Sequence, residues 1–313
     1  MALRPDIGGR ANRLSGEIDA LRAELAETRD QLSRRQEEHI AEMQHLHNVR
    51  TVQLEALKAG QARLLEAVRA ATDDDAGSRA RLAALRASPA YEAAFTVPEP
   101  LVSIVMPTYD EIAGLTERSV PSALAQTYPN VEVIVVGDHA APETGAALAE
   151  IDDPRLHYEN LAVRGPYSEE PKTFWYTAGT YALNRAMALA RGQWIAVLND
   201  DDAHHPEFVE RLLAHARAEH AEVAYGKLLH REPEKDDWEL GSFPPTNHAF
   251  GWQMAIQHAG LRMFEYELHA PVYDEPGDWH RAFRMLRAGV RFSMLDAVVG
   301  DYYPSTLWKG RRT

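Results

Sequence analysis

Three consecutive carboxylates at the end of an apolar run are the strongest chemical signal in this sequence. Residues 194–198 are apolar and typical of a strand, and Asn199 is followed by Asp200, Asp201 and Asp202. Adjacent like charges repel one another at the end of a buried strand unless a cation neutralises them. A divalent metal held by oxygen ligands is the simplest such cation. The run therefore predicts a metal site, and metals held in this way often carry a phosphorylated substrate.

Polar residues also end two other strand-like segments. The apolar segment 102–106 leads into Pro107-Thr108-Tyr109-Asp110, and the apolar segment 131–137 ends at Asp138. Helices are predicted between the strands, over 112–126, 142–151 and 176–191. Strands that alternate with helices indicate a mainly parallel sheet covered on both faces. Ligands of such sheets bind at the carboxyl ends of the strands, so these polar side chains are expected at one edge.

The N-terminal region has a helical period instead. Apolar residues recur there at spacings of four and three, the a/d pattern of a coiled coil: Leu14, Ile18, Leu21, Leu25, Thr28 and Leu32. An extra four-residue step between Leu32 and Ile40 shifts this pattern. We predict a coiled coil over residues 10–70 that forms a homo-oligomer. The alternative is a helix that folds back on the rest of the chain or frays.

Residues 71–100 are predicted to be a linker that contains a short helix. Thr72-Asp73-Asp74-Asp75 interrupts the coiled-coil pattern, and the proline-rich run Val97-Pro98-Glu99-Pro100 precedes the first strand. The helix is predicted over residues 79–87.

Composition argues against several functional classes. The 313 residues carry a net charge of -14, whereas nucleic acids and anionic membranes are bound through basic patches. The sequence has no cysteine, which excludes disulfides and thiolate chemistry. No apolar run approaches the roughly 20 residues that span a bilayer. We expect a cytoplasmic protein that binds no nucleic acid and whose contact with a membrane is at most peripheral.

Four motifs occur in an order that resembles family 2 glycosyltransferases with the GT-A fold. They are VSIVMPTYDE from Val102, VEVIVVGDHA from Val131, ALNRAMALARGQWIAVLNDDDAHHPEFVERL from Ala182 and YDEPGDWHRAFRMLRAG from Tyr273. The resemblance extends from residue 102 to about residue 303. It implies a GT-A domain over residues 101–313 that binds a nucleotide-diphospho-sugar donor, most often a UDP-sugar in this family.

The resemblance also implies roles for individual residues around the donor. Tyr109 would stack on the base, with a ring that caps the core as the alternative role. Arg164 and Arg185 are further candidates for the diphosphate, with an ordinary surface position as the alternative. The donor-binding residues implied are Pro107, Thr108, Tyr109, Asp138 and Asp200, with Lys172 as a candidate diphosphate contact.

The acidic run occupies the place of the family's metal motif. By position, Asp201 ligates Mn²⁺ or Mg²⁺, and Asp202 is a second ligand or an orienting group. The family's usual first acidic residue is Asn199 here. The alternative is a helix cap, in which Asp202 caps the helix that Pro206 begins.

Asp278 stands where the family has its catalytic base. A base is required because an acceptor hydroxyl is a poor nucleophile until its proton is removed. Displacement assisted by one base predicts inversion at the anomeric carbon. The first member of the family's acidic pair is replaced by Gly277, with Asp274 and Glu275 nearby. The alternative role of Asp278 is again a helix cap.

The remaining expectations concern the acceptor side and the histidines. The stretch from Gly241 to Gly260 is expected to hold the acceptor, although Trp252 is equally compatible with the core. His204 and His205 are expected in a loop rather than in the metal site. The C-terminal residues expected to form a closing tail are Tyr302, Tyr303, Ser305 and Trp308.

The leading hypothesis is a metal-dependent inverting hexosyltransferase with a surface glycan or glycolipid as acceptor. The alternative from another class is a catalytically weak nucleotide-sugar-binding scaffold assembled by its coiled coil, which Asn199 and Gly277 keep open. A nucleotidyltransferase is disfavoured because no glycine-rich phosphate loop with a basic residue follows the first strand.

Overall fold

The computed structural model describes the backbone of residues 7–232 and 235–304, and the side chains of residues 15–70, 73–232 and 235–304. The chain divides into two units, Met1–Asp73 and Asp74–Thr313. The helices are α1 (Ile7–Thr72), α2 (Asp75–Arg86), α3 (Pro89–Thr96), α4 (Ile112–Gly114), α5 (Val120–Leu124), α6 (Pro142–Ala149), α7 (Pro171–Thr177), α8 (Thr180–Leu189), α9 (Phe208–Ala218) and α10 (Gly277–Ala288). The strands are β1 (Val102–Thr108), β2 (Val131–Gly137), β3 (Leu156–Asn160), β4 (Trp194–Val197), β5 (Ala203–His204), β6 (Val223–His230), β7 (Trp238–Leu240), β8 (Ala255–His258) and β9 (Phe292–Tyr302). A π-helical turn, Leu115–Ser119, joins α4 to α5, and 3₁₀ turns span Trp252–Met254, Ala259–Met263 and Ala270–Tyr273.

The first unit is a single helix of 66 residues, α1. At 1.5 Å per residue it is about 100 Å long. The helix continues without a break through the predicted shift between Leu32 and Ile40. The side chains of residues 15–59 are all exposed. Large apolar side chains are among them, namely Ile18, Leu21, Leu25, Leu32, Ile40, Met43, Leu46, Val49, Val52, Leu54 and Leu57.

The second unit is built on one mixed sheet, in the order β3-β2-β1-β4-β8-β6-β9-β5, with β7 paired to β6. Strands β3, β2, β1 and β4 are parallel to one another. Strand β8 is antiparallel to both β4 and β6, so the direction of the sheet reverses there. The parallel half contains the three strands whose ends carry the predicted site.

Apolar side chains alternate between the two faces of the sheet, as the strand period requires. Val105 and Ile134 belong to a core layer that includes residues of α2, α8 and α10. Ile104 and Val133 belong to the opposite layer, which includes residues of α3, α5, α6 and α9. The sheet is therefore covered on both faces, and its strand ends remain for binding.

Residues 74–100, where we expected a linker with one short helix, form α2 and α3 and belong to the second unit. The two helices are held by a buried carboxylate, Glu222. Arg86 Nε lies 2.6 Å from Glu222 Oε1, and the Tyr91 hydroxyl donates to the same oxygen at 2.9 Å. This buried, charge-assisted contact attaches α2 and α3 to the domain that carries the site.

The described helices include none with the length and apolar character that crossing a membrane requires.

Candidate active site

The parallel register brings the carboxyl ends of β1, β2 and β4 together. Thr108 pairs with Gly137, so β1 and β2 end at the same level. The amide of Asp138 donates to the Thr108 carbonyl at 2.8 Å, and the amide of Leu198 donates to the Val105 carbonyl at 3.0 Å. These backbone bonds place the residues after each strand side by side at one edge of the sheet.

A cavity of about 460 Å³ opens at this edge, a volume typical of small-ligand sites. Its lining brings together most of the predicted donor residues. Five of the lining side chains are carboxylates, and Arg164 is the single basic residue among them. The lining consists of Pro107, Thr108, Tyr109, Asp110, Glu111, Asp138, Arg164, Phe174, Ala178, Gly179, Asn199, Asp200, Asp201 and Tyr302.

Burial and crowding raise the pKa of the carboxyl groups after β4. The pKa of Asp200 is raised to about 7 by burial and by the charge of Asp201. Burial, with the charge of Glu111, raises the pKa of Asp201 to about 6, and the nearby Arg118 opposes this. A bound cation would favour the ionised carboxylates and lower both values. The electrostatics of this turn therefore suit a positively charged ligand.

The structure changes the prediction for Asp202. Its side chain is 1% exposed and does not line the cavity. One of its oxygens accepts the Asn199 side-chain amide at 2.9 Å, and the other accepts the backbone amide of Tyr303 at 2.9 Å. With both oxygens engaged by these donors, Asp202 holds the turn against the end of β9. Of the three roles left open by the sequence, the geometry favours the orienting group over the second metal ligand, and the helix cap is wrong because α9 begins at Phe208 with Glu207 as its N-cap.

Tyr109 and Arg164 form a stacked pair in the lining of the cavity. The guanidinium carbon of Arg164 lies 3.6 Å from the centre of the Tyr109 ring and 5.6 Å from that of Phe174. The buried Asp138 accepts the backbone amide of Gly165 at 3.2 Å, which ties the Arg164 segment to the end of β2. This wall thus combines flat rings with one positive charge.

Lys172 and Arg185 do not line the cavity. The Lys172 ammonium lies 2.5 Å from Asp274 Oδ1, with both side chains more than half exposed. Arg185 Nε lies 2.6 Å from Glu159 Oε1, also at the surface. Among the three basic residues predicted to contact the diphosphate, the structure brings only Arg164 to the cavity.

Asp278 lies in the first turn of α10 and is not part of the cavity lining. Burial raises the pKa of its carboxyl to about 6, and the nearby charge of Arg281 opposes this shift. The indole of Trp252 donates to the Asp278 carbonyl at 3.0 Å. Arg281, itself buried, has its guanidinium carbon 4.2 Å from the Trp252 ring centre and 5.0 Å from that of Tyr266. The start of α10 is therefore held in place by buried aromatic and cationic side chains.

Comparison with known families connects this geometry to an established group of proteins. The profile described as "Glycosyl transferase family 2" matches residues 103–168 and 177–273. These ranges cover β1 to β3 and continue from α8 through β8.

The chain belongs to glycosyl transferase family 2.

Relatives within the family share part of their length with this chain. The succinoglycan biosynthesis protein ExoO of Rhizobium meliloti (strain 1021) is 37% identical over 130 residues, which are 41% of this chain and 33% of that protein. The putative colanic acid biosynthesis glycosyl transferase WcaA of Escherichia coli (strain K12) is 31% identical over 119 residues, 37% of this chain and 38% of that protein. The similarity thus spans between 33% and 38% of these two relatives.

Solved structures show the fold. S. aureus TarS 1-349 in complex with UDP has a TM-score of 0.52 at 16% identity, covering 66% of this chain and 61% of that one. The mannosyltransferase PcManGT of Pyrobaculum calidifontis, in complex with GDP-Man and Mn²⁺, has a TM-score of 0.51 at 16% identity, covering 75% and 70%. The GT-A fold class predicted from the sequence is confirmed.

Two glycines precede acidic residues of the predicted site, Gly137 before Asp138 and Gly277 before Asp278. A Cβ at Gly137 would lie 2.5 Å from Asn160 Oδ1, and a Cβ at Gly277 would lie 2.9 Å from the Tyr176 carbonyl. A larger residue at Gly137 would require the Asn160 side chain to shift, and an acidic residue in place of Gly277 would require a backbone segment to move. Asn199, which replaces the family's usual first acidic residue, has the amide that donates to Asp202.

The histidines after the acidic run and Trp252 lie outside the cavity lining. His204 is buried in β5 and stacked on Phe208 at 3.5 Å, and burial lowers its pKa to about 3. His205 Nε2 lies 3.4 Å from Asp301, and Trp252 is in the core. Tyr302 lines the cavity, whereas Ser305 and Trp308 lie outside the described residues.

Glu111 and Arg118 were missed as functional candidates. Glu111 lines the cavity, and Arg118 Nη1 donates to the Asp201 carbonyl at 2.6 Å. Both lie in the segment that starts directly after Tyr109-Asp110, and this closeness in sequence to the first polar strand end was the available signal.

Proposed function

We propose that the chain is a metal-dependent inverting hexosyltransferase that takes its sugar from a nucleotide-diphospho-sugar, with a UDP-sugar as the first candidate. One observation carries the proposal: a single cavity at the ends of the parallel strands joins five carboxylates to a stacked Tyr109–Arg164 pair. Negative side chains alone repel a diphosphate, so a cation between them and the donor is required.

The donor's nucleotide is assigned to the wall formed by Pro107, Thr108, Tyr109 and Asp138. The Tyr109 ring offers a surface for base stacking, and Asp138 offers an acceptor for a base or ribose hydroxyl or amide. Arg164 replaces Lys172 as the candidate diphosphate contact because it is the basic residue of the lining. Asp200, whose carboxyl interacts with Thr108 of this wall, is assigned to the ribose.

The donor set of the turn after β4 fits Mn²⁺ or Mg²⁺, which prefer carboxylate oxygens. Asp201 would hold the ion, and Asp202 would keep the turn in position through Asn199 and Tyr303. When bound, the ion supplies positive charge that offsets the negative charge developing on the leaving nucleoside diphosphate. A solved neighbour of similar fold contains GDP-Man and Mn²⁺, which agrees with this choice of ligand and ion.

Asp278 is assigned as the base that accepts the proton of the attacking hydroxyl. Its pKa of about 6 leaves it ionised at neutral pH while keeping it a useful proton acceptor. With one such base, the hydroxyl attacks the anomeric carbon from the side opposite the diphosphate, and configuration inverts.

The acceptor is assigned to a surface polysaccharide or glycolipid. ExoO and WcaA are named for the biosynthesis of succinoglycan and of colanic acid, respectively.

Donor turnover with and without metal tests the proposal. A panel of nucleotide-sugars is incubated with native protein in Mn²⁺, in Mg²⁺ and in EDTA, and released nucleotide is measured. We expect turnover of at least one donor that EDTA abolishes and added metal restores. Nucleotide binding without metal-dependent turnover would favour the scaffold alternative instead.

We also propose that α1 joins copies of the chain as a coiled coil. The exposed apolar side chains of residues 18–57 support this, since a helix of this length rarely leaves such a series in water. Light scattering of the full chain is expected to give a multiple of the 35.0 kDa mass. The double variant Leu21→Glu, Leu25→Glu is expected to reduce it, whereas Gln31→Glu on the same helix is not. A native protein that is a monodisperse monomer would contradict the proposal.

A further inference from the structure

A second group of potential metal ligands lies outside the cavity, in the segment that leads to α10. Glu267, His269 and His280 each offer one ligand atom, and these atoms all lie within 4.8 Å of one another. Glu267 Oε2 is 2.9 Å from His269 Nε2 and 3.2 Å from His280 Nε2. In a tetrahedral zinc site with bonds of about 2.0 to 2.1 Å, neighbouring ligand atoms are about 3.3 Å apart. The two distances from Glu267 are close to this value, and the ligand atoms of the two histidines lie within 4.8 Å of each other.

Outer groups of the kind known from zinc proteins lie next to these side chains, although the distance between the His280 imidazole and the Glu275 carboxylate is longer than a hydrogen bond. A ligating imidazole usually turns its other nitrogen toward a carboxylate, which fixes the ring. His280 Nδ1 lies 3.6 Å from Glu275 Oε2, on the ring edge opposite Glu267. Arg284 pairs with the second carboxylate oxygen of Glu267. The Tyr273 ring stacks on His280, with centres 5.0 Å apart and planes 13° apart.

One ligand side chain of the cluster is buried, and the other two are partly exposed to solvent. The His280 side chain is 1% exposed, whereas that of His269 is 50% exposed and that of Glu267 is 29% exposed. An ion can therefore reach the three ligand atoms from solvent and retain water as its fourth ligand. Two imidazoles and one carboxylate with an open position is a known zinc ligand set.

We propose that Glu267, His269 and His280 form a Zn²⁺ site that braces the segment leading to Asp278. Nitrogen ligands favour zinc, whereas the all-oxygen turn after β4 favours Mg²⁺ or Mn²⁺. The two sites thus differ in the ion they select. Through His280, the ion fixes the first turn of α10 to residues 267–269, so it acts on the position of Asp278 rather than on the donor. The inference does not depend on the proposed glycosyl transfer.

Zinc uptake by the full, untagged chain tests this site. Metal-depleted protein is titrated with ZnCl₂ against a chromogenic chelator, and unfolding temperatures are measured with and without zinc. We expect one tightly held Zn²⁺ per chain and a higher unfolding temperature with zinc, since a ligand that binds the folded state stabilises it. Both effects should persist in Asp201→Asn, which keeps the cluster intact.

The variant His269→Ala removes a half-exposed ligand without opening the core and is expected to weaken zinc binding at least about 10-fold. His157→Ala, at another exposed histidine, serves as the matched control and should bind like the native chain. Glu267→Gln provides a second test, with the same expected loss. The proposal would be overturned if the native chain bound no zinc tightly. It would also be overturned if zinc uptake were unchanged in both His269→Ala and Glu267→Gln. In either case the cluster would be an ion-pair network only. Zinc bound by the histidines of α1 would give uptake that is unchanged in both variants.

Discussion

The turn after β4 and the first turn of α10 both contain carboxyl groups whose pKa is raised by burial, but their surroundings differ. In the turn, Asp200 and Asp201 are neighbours, so the repulsion of like charges adds to the effect of burial on the pKa of Asp200. At α10, burial raises the pKa of Asp278, and the nearby Arg281 has the opposite charge. Aspartate side chains therefore lie next to negative charge in the turn after β4 and next to positive charge at the start of α10.

This difference suits the two places to different tasks. Crowded carboxylates gain from a divalent cation, which removes the repulsion that raises their pKa. A carboxyl raised to a pKa of about 6 by burial is ionised at neutral pH and still accepts protons readily. The comparison predicts that substitutions in the turn alter the metal dependence of transfer and that substitution of Asp278 in α10 alters its pH dependence.

The largest effect is expected for Asp201→Asn. The amide keeps the shape of the side chain but removes the charge that holds the ion, so transfer should fall about 10³-fold. Stabilisation of the folded chain by Mn²⁺ should be lost with it. Transfer rates and unfolding temperatures are compared with those of Asp152→Asn, an exposed control. Full activity of Asp201→Asn would contradict the assignment of a metal site to this turn.

A somewhat smaller loss is expected for Asp278→Asn. Removal of a general base costs about 10²-fold or more in rate, while donor affinity should stay within about twofold of the native value. Titration calorimetry with the donor and initial rates separate the two effects. Equal loss of binding and of transfer would make Asp278 a structural residue.

The pH profile distinguishes the two places further. Asp278 accepts a proton only when ionised, so the native rate at saturating metal should rise about tenfold per pH unit below its pKa and level off above about 6. The residual rate of Asp278→Asn should lack this rise. A rise that persists in the variant would belong to the carboxylates of the turn.

A further prediction concerns the stability of the metal-free chain. The folded-state pKa of Asp201 is raised from 3.8 to about 6, so the folded chain binds more protons than the unfolded chain between these pH values. The stability of the folded chain is therefore unaffected by Asp201 below the unfolded pKa, and it falls as pH rises through 6. In EDTA, Asp201→Asn should be more stable than the native chain by about 2 kcal/mol at about pH 8 and by much less at about pH 4.

Urea denaturation at the two pH values measures this difference. An activity-deficient variant that is more stable than its parent is the signature of a site that stores repulsion for a ligand. A gain that is the same at both pH values would show that the charge of Asp201 is not its cause.

The smallest effect is expected for Asn199→Asp, which restores the carboxylate usual in the family. Aspartate cannot donate to Asp202, and it would place a second carboxylate where the amide now lies 2.9 Å away. Metal-free stability should fall by about 1 kcal/mol, because a buried acceptor loses its donor. Saturating Mn²⁺ should reduce the loss. Asn48→Asp on the exposed face of α1 is the control, and equal losses would contradict the role assigned to Asn199.

Local sequence patterns predicted much of the fold. The apolar runs ending in polar residues gave β1, β2 and β4, and the a/d spacing gave the long helix, because these signals lie between residues near in sequence. The reversal of the sheet at β8 had no such signal, because strand direction depends on which distant segments pair. The attachment of α2 and α3 through Glu222 was likewise hidden, since it joins residues 131 or more positions apart.

The sequence by itself determined the family, the GT-A fold and the clustering of Thr108, Tyr109, Asp138 and the acidic run at one edge. The family and the fold were implied by the resemblance of four ordered motifs, and the clustering follows from residue type and short spacing in a parallel sheet. Only the tertiary structure decided that Asp202 turns inward, that Lys172 faces Asp274 and that Gly277 adjoins the Tyr176 carbonyl. It also brought His269 and His280 to Glu267. Side-chain direction and contacts between separate segments depend on how distant elements pack, and no local pattern records that.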